Sequence, residues 1–457
     1  MDLVIKGGTV AIDGGPIMTD VGVADGRIVQ LGGVMSADVE IDARDKFVLP
    51  GGIDPHVHLT PPVTGPGVDS WADDFEVGTR AALAGGVTTV GNMSFARKGE
   101  QMIAGMERDM ADAAANSIAD YFQHPVLLNP DKTGIDQIAE LTAMGHPSVK
   151  IFLSFRRFDR DVSGFLRAMS QAADVGSVVL LHCEDAAIMG CCADRLQDQG
   201  LTEHRHYPET RPVEAERIAT ERAVGYCETT GAASYIVHLS SQAALQACRT
   251  ARARGLPLYV ETRPIYLHLE RSRFDEPDGA KYAGAPPLRD DADRDALWAG
   301  IADGTVSTVA TDHAPWTLEQ KLDSTLGPHQ LRQGMAELET IMPMLWSLGV
   351  ATGRMSLGRF VEMTSSNAAK LFGMYPQKGC IAPGSDADLV IWDPTESRII
   401  DGATMHSKAG YSPYDGWEVT GWPTHTISRG EIVAEGSLVI GQPGRGLAVP
   451  RQPFDRP

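Results

Sequence analysis

The 457-residue chain has little of several features that would assign it to a specialised class of protein. It has no apolar run of 18 or more residues, which argues against a membrane span. The start of the chain, Met1 to Lys6, lacks the basic and apolar regions of a secretory signal. The six cysteines form no C-x-x-C pair and are too sparse for a disulfide scaffold. We therefore expect a soluble, cytoplasmic protein with reduced thiols.

Positive charge is also scarce. The chain has 40 lysines and arginines against 60 aspartates and glutamates, which gives a formal net charge of −20. Nucleic acids and anionic membranes are bound by surfaces on which lysine and arginine are concentrated. The composition therefore predicts that neither a nucleic acid nor a membrane is a partner of this protein.

Apolar residues, in contrast, are abundant. Hydrophobic residues make up 43% of the chain and charged residues only 22%, which is typical of a globular protein with a large core. A chain of 457 residues is too long for one simple core. We expect two domains, or one large barrel with an accessory domain.

Both ends of the chain have the short alternating pattern of β-strands, with a hairpin turn at Asp25-Gly26. Because the two ends share this pattern and enclose a different middle, we predict one discontinuous β-sandwich domain from residues 1–50 and 375–457. The predicted strands are 3–10, 21–29 and 38–42, all antiparallel, and 387–392, 424–430 and 431–436.

The middle of the chain, residues 51–374, alternates β-branched runs with amphipathic helical stretches, as α/β folds with parallel sheets do. Eight such units predict a (β/α)8 TIM-like barrel, whose catalytic groups lie at the C-terminal ends of the strands. The predicted strands are 46–52, 87–93, 119–127, 148–153, 177–184, 234–241, 257–266 and 306–312. The helices predicted between them are 73–84, 134–144, 164–174, 212–229, 242–254 and 290–303.

Residues that can bind metal lie on several of these strands. In the motif from Gly51 to Leu59, His56 and His58 are two residues apart and would project to the same side of an extended chain. The other candidates, on strands 4, 5, 6 and 8, are Lys150, His182, His238 and Asp312. Each histidine alone could be a hydrogen-bonded core residue, but together these positions predict a metal centre.

Longer motifs accompany these residues, and with them the chain resembles the cyclic-amide hydrolases of the amidohydrolase superfamily. These are the hydantoinases, dihydropyrimidinases, allantoinases and dihydroorotases. The resemblance covers nearly the whole chain and is more specific for the hydantoinase and dihydropyrimidinase branch. The motifs are Gly51 to Leu59, Asp74-Phe75-x-x-Gly78-Thr79, Gly85-Gly86-Val87-Thr88-Thr89, Lys150-x-Phe152, Arg211-Pro212-x-Glu214, Pro286-Pro287-Leu288-Arg289, Phe372-Gly373-x-Tyr375-Pro376 and Ile381 to Leu389.

The resemblance implies a binuclear metal centre. His56, His58 and Asp312 would bind one divalent ion, His182 and His238 would bind the other, and Lys150 would bridge both as a CO2-derived carbamate. A free ammonium has no lone pair and repels cations, so a lysine among metal ligands must be neutral or become an anion. The alternative is an ion-paired lysine near a strand end. The ligand set suits Zn, but also Mn, Fe or Co.

The implied reaction is hydrolysis of the amide bond of a cyclic ureide or amide ring, of hydantoin or dihydropyrimidine type, to an N-carbamoyl amino acid. Asp312 would act as a metal ligand and as the group that moves a proton from water to the leaving nitrogen. The partner would be a small cyclic amide, and the resemblance further implies a homodimer or homotetramer.

Some positions depart from the family pattern. Hydantoinases of D-selectivity carry a tyrosine five residues after the lysine, which donates to the developing oxyanion, whereas this chain has Phe155. That role falls to the metal, to Ser154 or another hydroxyl, or to no group. Thr60 stands where dihydroorotases have a carboxylate-binding arginine, which makes a carboxylate-bearing ring less expected.

The substrate pocket is predicted from loops at the same end of the barrel. The resemblance implies that Ala285, through its backbone, and Gln333 bind the substrate together with Phe155. The loops 60–71, 94–98 and 155–159 are rich in Phe, Trp and Pro and would suit an apolar or aromatic ring substituent, unless they serve only in packing.

Alternative functions and roles stay open. The missing tyrosine favours an allantoinase-type or L-selective enzyme, and other amides or imides suit the same centre. A non-catalytic scaffold is least favoured, because scaffolds related to dihydropyrimidinase lose metal ligands and all six positions are intact here. His313 is left out of the metal set because neighbours on a strand point to opposite sides. Glu184 and Asp185 would bond the ligating imidazoles or cap the next helix.

Overall fold

The computed structural model describes residues 1–61 and 69–455 of the chain. Part of the predicted pocket loop 60–71, namely residues 62–68, lies outside the described residues. No helix within the described ranges is long and apolar enough to cross a lipid bilayer.

The strands of the described ranges fall into a sheet built by the two ends of the chain and a barrel built by the middle. In chain order they are β1 (Leu3–Ile12), β2 (Gly15–Ala24), β3 (Arg27–Leu31), β4 (Val39–Asp42), β5 (Phe47–Pro50), β6 (Gly52–Val57), β7 (Val87–Ser94), β8 (Asp120–Pro125), β9 (Ser148–Phe152), β10 (Val178–His182), β11 (Ser234–Ile236), β12 (Leu258–Thr262), β13 (Thr308–Val309), β14 (Leu389–Ile399), β15 (Glu418–Ser428), β16 (Glu431–Glu435) and β17 (Leu438–Val439).

The α-helices lie almost entirely between the barrel strands and after the last of them. They are α1 (Phe75–Ala84), α2 (Met102–Asn116), α3 (Lys132–Ala143), α4 (Arg156–Arg160), α5 (Val162–Val175), α6 (Ala186–Asp198), α7 (Tyr207–Thr210), α8 (Val213–Thr230), α9 (Gln242–Ala253), α10 (Pro264–His268), α11 (Asp291–Asp303), α12 (Leu318–Lys321), α13 (Ile341–Leu345), α14 (Leu357–Val361) and α15 (Asn367–Leu371). Short 3-10 turns span His204–His206, Arg271–Asp275, Gly279–Tyr282 and Pro328–Gln330, and π-helical turns span Trp346–Val350 and Glu362–Ser366.

The two ends of the chain share one nine-stranded sheet in the order β17-β16-β15-β14-β5-β1-β2-β3, with β4 also paired to β1. Strand β14 pairs with β5, which joins the C-terminal part of the chain to the N-terminal part. The prediction that both ends fold together is therefore confirmed. The boundaries 1–50, 51–374 and 375–457 stay a prediction.

Local chemistry explains most of the pairing in this sheet. Asp25 and Gly26 both have positive φ, at 51° and 74°, as a tight turn between two twisted strands requires, so the predicted hairpin of β2 and β3 is confirmed. The antiparallel prediction for residues 38–42 is wrong, because β4 runs parallel to β1. The chain reaches β4 through a longer connection after β3 and not through a hairpin.

The eight strands β6 to β13 form the predicted barrel. They pair in parallel in the orders β6-β7-β8 and β9-β10-β11-β12-β13. Two parallel bridges, Val126 with Lys150 and Val57 with His313, connect these sheets at both seams and close the ring. The prediction of a (β/α)8 barrel is confirmed.

The predicted positions of two barrel strands are wrong in part: the strand predicted over 257–266 ends at Thr262 and α10 begins at Pro264, and the first barrel strand begins later than predicted. Residues 47–50 form β5 of the terminal sheet, and the barrel begins with β6 at Gly52. The apolar run continues across this boundary, so the pattern does not reveal where the chain changes sheets. At Gly51 a Cβ atom would lie 2.2 Å from the Thr88 hydroxyl, so only glycine fits at the crossing point.

The barrel interior is a packed core. Phe122, Tyr235 and Phe372 are fully buried there, and the Phe372 ring lies 5.9 Å from the Phe122 ring and 5.3 Å from the Tyr235 ring. This filling leaves space for a ligand only beyond the strand ends.

Candidate metal centre

A pocket of about 310 Å³ lies at the C-terminal ends of the barrel strands. The structure brings all of the sequence-predicted site residues to this pocket. They are His56, His58, Lys150, Phe155, His182, His238, Ala285, Asp312 and Gln333.

One half of the pocket gathers the two histidines of the first strand and the aspartate after the last. Asp312 Oδ1 lies 2.9 Å from His58 Nε2 and 3.2 Å from His56 Nε2. Ligand atoms of these three residues all lie within 4.8 Å of one another, a spacing at which one ion can contact all of them. Asp312 adopts a positive φ of 51°, an uncommon conformation for a non-glycine residue.

The other half of the pocket holds the second pair of histidines. His182 ends β10 and His238 follows β11, and His182 Nδ1 lies 2.9 Å from His238 Nε2. His182 Nε2 lies 2.8 Å from the Glu184 carboxylate, so it carries the proton and leaves Nδ1 with a free lone pair. Burial lowers the pKa of both imidazoles, which keeps them neutral and able to bind a metal.

Lys150 stands between the two halves. It is completely buried, and its Nζ has no hydrogen-bond partner among residues 1–61 and 69–455. Burial lowers the pKa of Lys150 to about 8, although Glu261 and Asp312 favour the charged form. A buried amine without a partner does not match an ion-paired lysine. It does fit a lysine whose amine is bonded to an additional chemical group in the active protein.

Two carboxylates that the sequence analysis missed hold the histidines in place. Glu261 Oε1 lies 2.8 Å from His56 Nδ1 and 2.7 Å from the backbone nitrogen of His238, so it connects the two halves. Because the Nδ1–H of His56 donates a hydrogen bond to Glu261, His56 Nε2 presents its lone pair toward Asp312. Asp54 accepts hydrogen bonds from the Thr311 hydroxyl at 2.6 Å and the His56 nitrogen at 3.0 Å, and so connects the first and last strands.

Asp312 is also bound by an arginine. Arg263 is fully buried and donates to Asp312 Oδ2 at 3.1 Å and to Glu337 Oε2 at 2.5 Å. Burial raises the pKa of Asp312, but His56 and Arg263 outweigh this effect and hold it well below its usual range. Asp312 is therefore ionised.

The residues that neighbour the predicted ligands take separate roles. Glu184 bonds both His182 and Arg211, whereas Asp185 caps α6 by accepting from the nitrogens of Ala187 and Ile188. His313 faces away from the pocket, with Nε2 2.9 Å from Asp73, as its exclusion from the metal set predicted.

Aromatic side chains form one wall of the pocket. Trp71, Phe95 and Phe155, which belong to the predicted pocket loops, line it together with Phe152, the last residue of β9. Ser154 lines it as well, so a nearby hydroxyl remains available in place of the tyrosine. The Thr60 hydroxyl donates instead to Asp109 at 3.1 Å in a buried network.

Comparison with known proteins agrees with this architecture. The model of the amidohydrolase family matches residues 47–433. D-phenylhydantoinase of Escherichia coli is 38% identical over 464 aligned positions, which cover 100% of both chains. The structure of D-hydantoinase (dihydropyrimidinase) from a Thermus species is 34% identical, with a TM-score of 0.94 and 99% of each chain covered. L-hydantoinase (dihydropyrimidinase) from Arthrobacter aurescens is 27% identical, with a TM-score of 0.89, 98% of this chain and 100% of that chain covered. The chain therefore belongs to the amidohydrolase family and is a cyclic amidohydrolase.

Proposed function

We propose that the chain opens the ring of a cyclic ureide, of hydantoin or dihydropyrimidine type, and releases an N-carbamoyl amino acid. The observation that carries this proposal is the convergence of four imidazoles, the Asp312 carboxylate and the unpartnered amine of Lys150 in one pocket. The names of the similar proteins, D-phenylhydantoinase and D-hydantoinase, support the same class of substrate.

The family implies a centre of two divalent metal ions, and we propose Zn for both. His56, His58 and Asp312 would hold one ion, and His182 and His238 would hold the other. The hydrogen bonds of Glu261 and Glu184 support this assignment, because they direct free imidazole lone pairs toward the proposed ions.

Lys150 is proposed to bridge the ions as a carbamate formed with CO2. Its low pKa, of about 8, supports this chemistry because only a neutral amine can attack CO2. The carbamate would replace a positive charge with an anion that offers two oxygens, one for each ion.

When bound, the ions supply Lewis-acid activation of the ring carbonyl and of the attacking water. The proposed role of Asp312 is to accept the proton of that water and to deliver it to the ring nitrogen as the C–N bond breaks. Arg263 holds the second oxygen of Asp312 at 3.1 Å and so keeps the carboxylate oriented during this transfer.

The residues of the pocket walls indicate which ring substituent the site prefers. Ala285 and Gln333 lie on the wall contributed by the later loops, and the aromatic wall of Trp71, Phe95, Phe152 and Phe155 supplies a surface for an apolar substituent. We therefore propose that a 5-aryl hydantoin is a better substrate than allantoin, whose substituent is polar.

The test is turnover of a panel of rings by protein loaded with Zn and bicarbonate. The panel contains 5-phenylhydantoin of both hands, unsubstituted hydantoin, dihydrouracil, allantoin and dihydroorotate, with Asp312→Asn as the inactive control. We expect ring opening of hydantoins, fastest with the aryl substituent. No turnover of any ring by protein that contains both ions would overturn the proposal.

We further propose that the protein works in the cytoplasm as a homodimer or homotetramer. Large apolar side chains of the terminal sheet, such as Met18 at 80% and Ile399 at 71% exposure, support association of copies through this region. Within the described ranges none of the six cysteines forms a disulfide, which suits a reducing compartment. Light scattering of the purified protein tests the assembly, and a monomer would contradict it.

A further inference from the structure

We propose that Lys321 is a positioning residue for substrate binding: its ammonium group holds the two backbone segments that carry Ala285 and Gln333. This inference rests on the proposed function. Lys321 is the last residue of α12 and is completely buried. Its Nζ donates to the carbonyls of Ala283 at 2.6 Å, Arg332 at 2.6 Å and Gly334 at 3.1 Å.

The number of hydrogen bonds indicates the charge state. An ammonium has three N–H donors and a neutral amine has two, so three carbonyl acceptors match the ammonium form. Within the part of the chain that the structure describes, no carboxylate contacts Nζ. Burial and the nearby charge of Arg263 lower the pKa of Lys321. Hydrogen bonds to carbonyl oxygens favour the charged form and so act in the opposite direction. Burial of a cation that is held only by carbonyl dipoles costs free energy. In this protein the buried cation connects two loops of the pocket.

The first of these loops is held at almost every carbonyl. Ala283 accepts from Lys321, Gly284 accepts from the Tyr207 hydroxyl at 2.7 Å, and Pro286 accepts from the Tyr266 hydroxyl at 2.6 Å. The peptide groups of Ala285 stand between these anchors, and no residue in the ranges 1–61 and 69–455 hydrogen-bonds to its N–H or its C=O. Ala285 lines the pocket, so its backbone is presented to the substrate.

The second loop is anchored in the same way. Lys321 binds the carbonyls on both sides of Gln333, and the Trp316 indole donates to the Gln333 carbonyl at 2.8 Å. The Gly334 nitrogen donates to Ala283 at 3.1 Å and so joins this loop to the first. The Gln333 N–H has no hydrogen-bond partner among residues 1–61 and 69–455, and Gln333 lines the pocket, so we infer that this N–H is available to the substrate.

This arrangement predicts how the ring is recognised. Backbone N–H and C=O groups read the amide edge that all cyclic ureides share, whereas the aromatic wall contacts the substituent. Loss of the Lys321 ammonium should therefore weaken binding of every ring by the same factor and leave the preference among substituents unchanged.

The experiment compares Lys321→Met with the natural protein. With 5-phenylhydantoin and with unsubstituted hydantoin we expect KM to rise at least about tenfold, as the loss of one well-placed contact to a bound amide does. The ratio of kcat/KM between the two substrates and the metal content should not change. Amide hydrogen exchange should become faster at Gly334, because its hydrogen bond to Ala283 depends on the loops that Lys321 holds together.

Lys378→Met is the matched control, because Lys378 is also buried but bonds Asp120 and Asp388 on the far side of the barrel from the pocket. It should lower the temperature midpoint of unfolding without changing the KM of the metal-loaded protein or the rate of amide exchange at Gly334. Unchanged KM and unchanged exchange in Lys321→Met would overturn the proposal, as would a loss of activity that follows only a loss of metal.

A second substitution at position 321 and the exchange rate at Gly334 test the role of Lys321 independently. If Lys321→Met does not fold, Lys321→Gln keeps two N–H donors in place of three, and we expect a rise in KM of about threefold, equal for both rings. An unchanged KM in that variant would then overturn the proposed role of Lys321. If the natural protein opens no ring, the proposed function fails by itself, and the exchange measurement at Gly334 still decides whether Lys321 holds the loops.

Discussion

The ring of Phe155 lies stacked on the ring of Phe152, with centroids 4.6 Å apart and planes inclined by 10°. Phe152 in turn lies 5.9 Å from Phe95, so the aromatic wall is continuous. Phe155 is 38% exposed, so one face of its ring is open to the pocket. A phenyl ring cannot donate a hydrogen bond, so Phe155 acts in this site through its apolar surface.

Removal of this surface should alter substrate preference. For Phe155→Ala we expect kcat/KM for 5-phenylhydantoin to fall about tenfold relative to unsubstituted hydantoin, which corresponds to the ~1.4 kcal/mol of one lost aromatic contact. Phe155→Leu keeps most of the apolar area and should show a smaller effect. Equal losses on both substrates would contradict this role.

Lys150→Met tests the bridging carbamate. We expect the content of Zn to fall below two ions per chain and activity to fall about 1,000-fold or more, because charge stabilisation by the ions is lost. With labelled bicarbonate, the natural protein should show a carbamate carbon signal by NMR that the variant lacks. Lys370→Met, at an exposed lysine, is the control that should change neither readout.

The pKa of Lys150 gives a second test of the same chemistry. Because its pKa is about 8, the reactive neutral amine becomes more abundant as the pH rises toward that value. At a fixed concentration of dissolved CO2, recovery of activity after removal of the carbamate should be about tenfold faster at pH 7.5 than at pH 6.5. A rate independent of pH would indicate that Lys150 is not the group modified.

The barrel and the ligand set were accessible from the sequence because periodicity and spacing are local properties. Of the proposed ligands, His56 lies in β6 and His58 directly follows it. His182 and His238 follow apolar runs, and Lys150 interrupts one. Glu261 and Lys321 were missed because their partners are remote: Glu261 bonds a residue 205 positions away, and Lys321 bonds carbonyls, which any residue offers. A charged residue within an apolar strand, as Glu261 is in β12, was the available signal.

Glu261 should control metal affinity without being a ligand. Glu261→Gln replaces the carboxyl group that accepts from His56 Nδ1 and from the His238 backbone nitrogen, and we expect Zn to bind about 10- to 100-fold more weakly. Glu216→Gln is the matched control, since Glu216 is a buried carboxyl that bonds Ser240 and no ligand. Competition with a chelator measures the Zn affinity of both variants. Equal affinity of Glu261→Gln and the natural protein would show that the imidazoles are oriented by other contacts.

The ion pair of Glu184 and Arg211 should make stability depend on pH. Burial raises the pKa of Glu184, but Arg211 and His182 outweigh it and lower the pKa from 4.5 to about 2. A lowered pKa in the folded state means that the stabilisation is complete above pH 4.5 and is lost as the pH falls toward 2. The size of the shift corresponds to about 3 kcal/mol.

Arg211→Met removes this stabilisation, and urea unfolding of metal-free protein measures it. We expect the free energy of unfolding to be lower than that of the natural protein by about 3 kcal/mol at pH 7 and equally at pH 5, because the pair is complete at both. The difference should shrink at pH 3, because below pH 4.5 Glu184 takes up a proton in the unfolded chain while it stays largely ionised in the natural folded protein. Arg217→Met breaks an exposed pair with Glu221 and should cost at most about 0.5 kcal/mol at any of these values. A difference between Arg211→Met and the natural protein that stays constant down to pH 3 would show that Arg211 stabilises the fold by packing and not through the charge of Glu184.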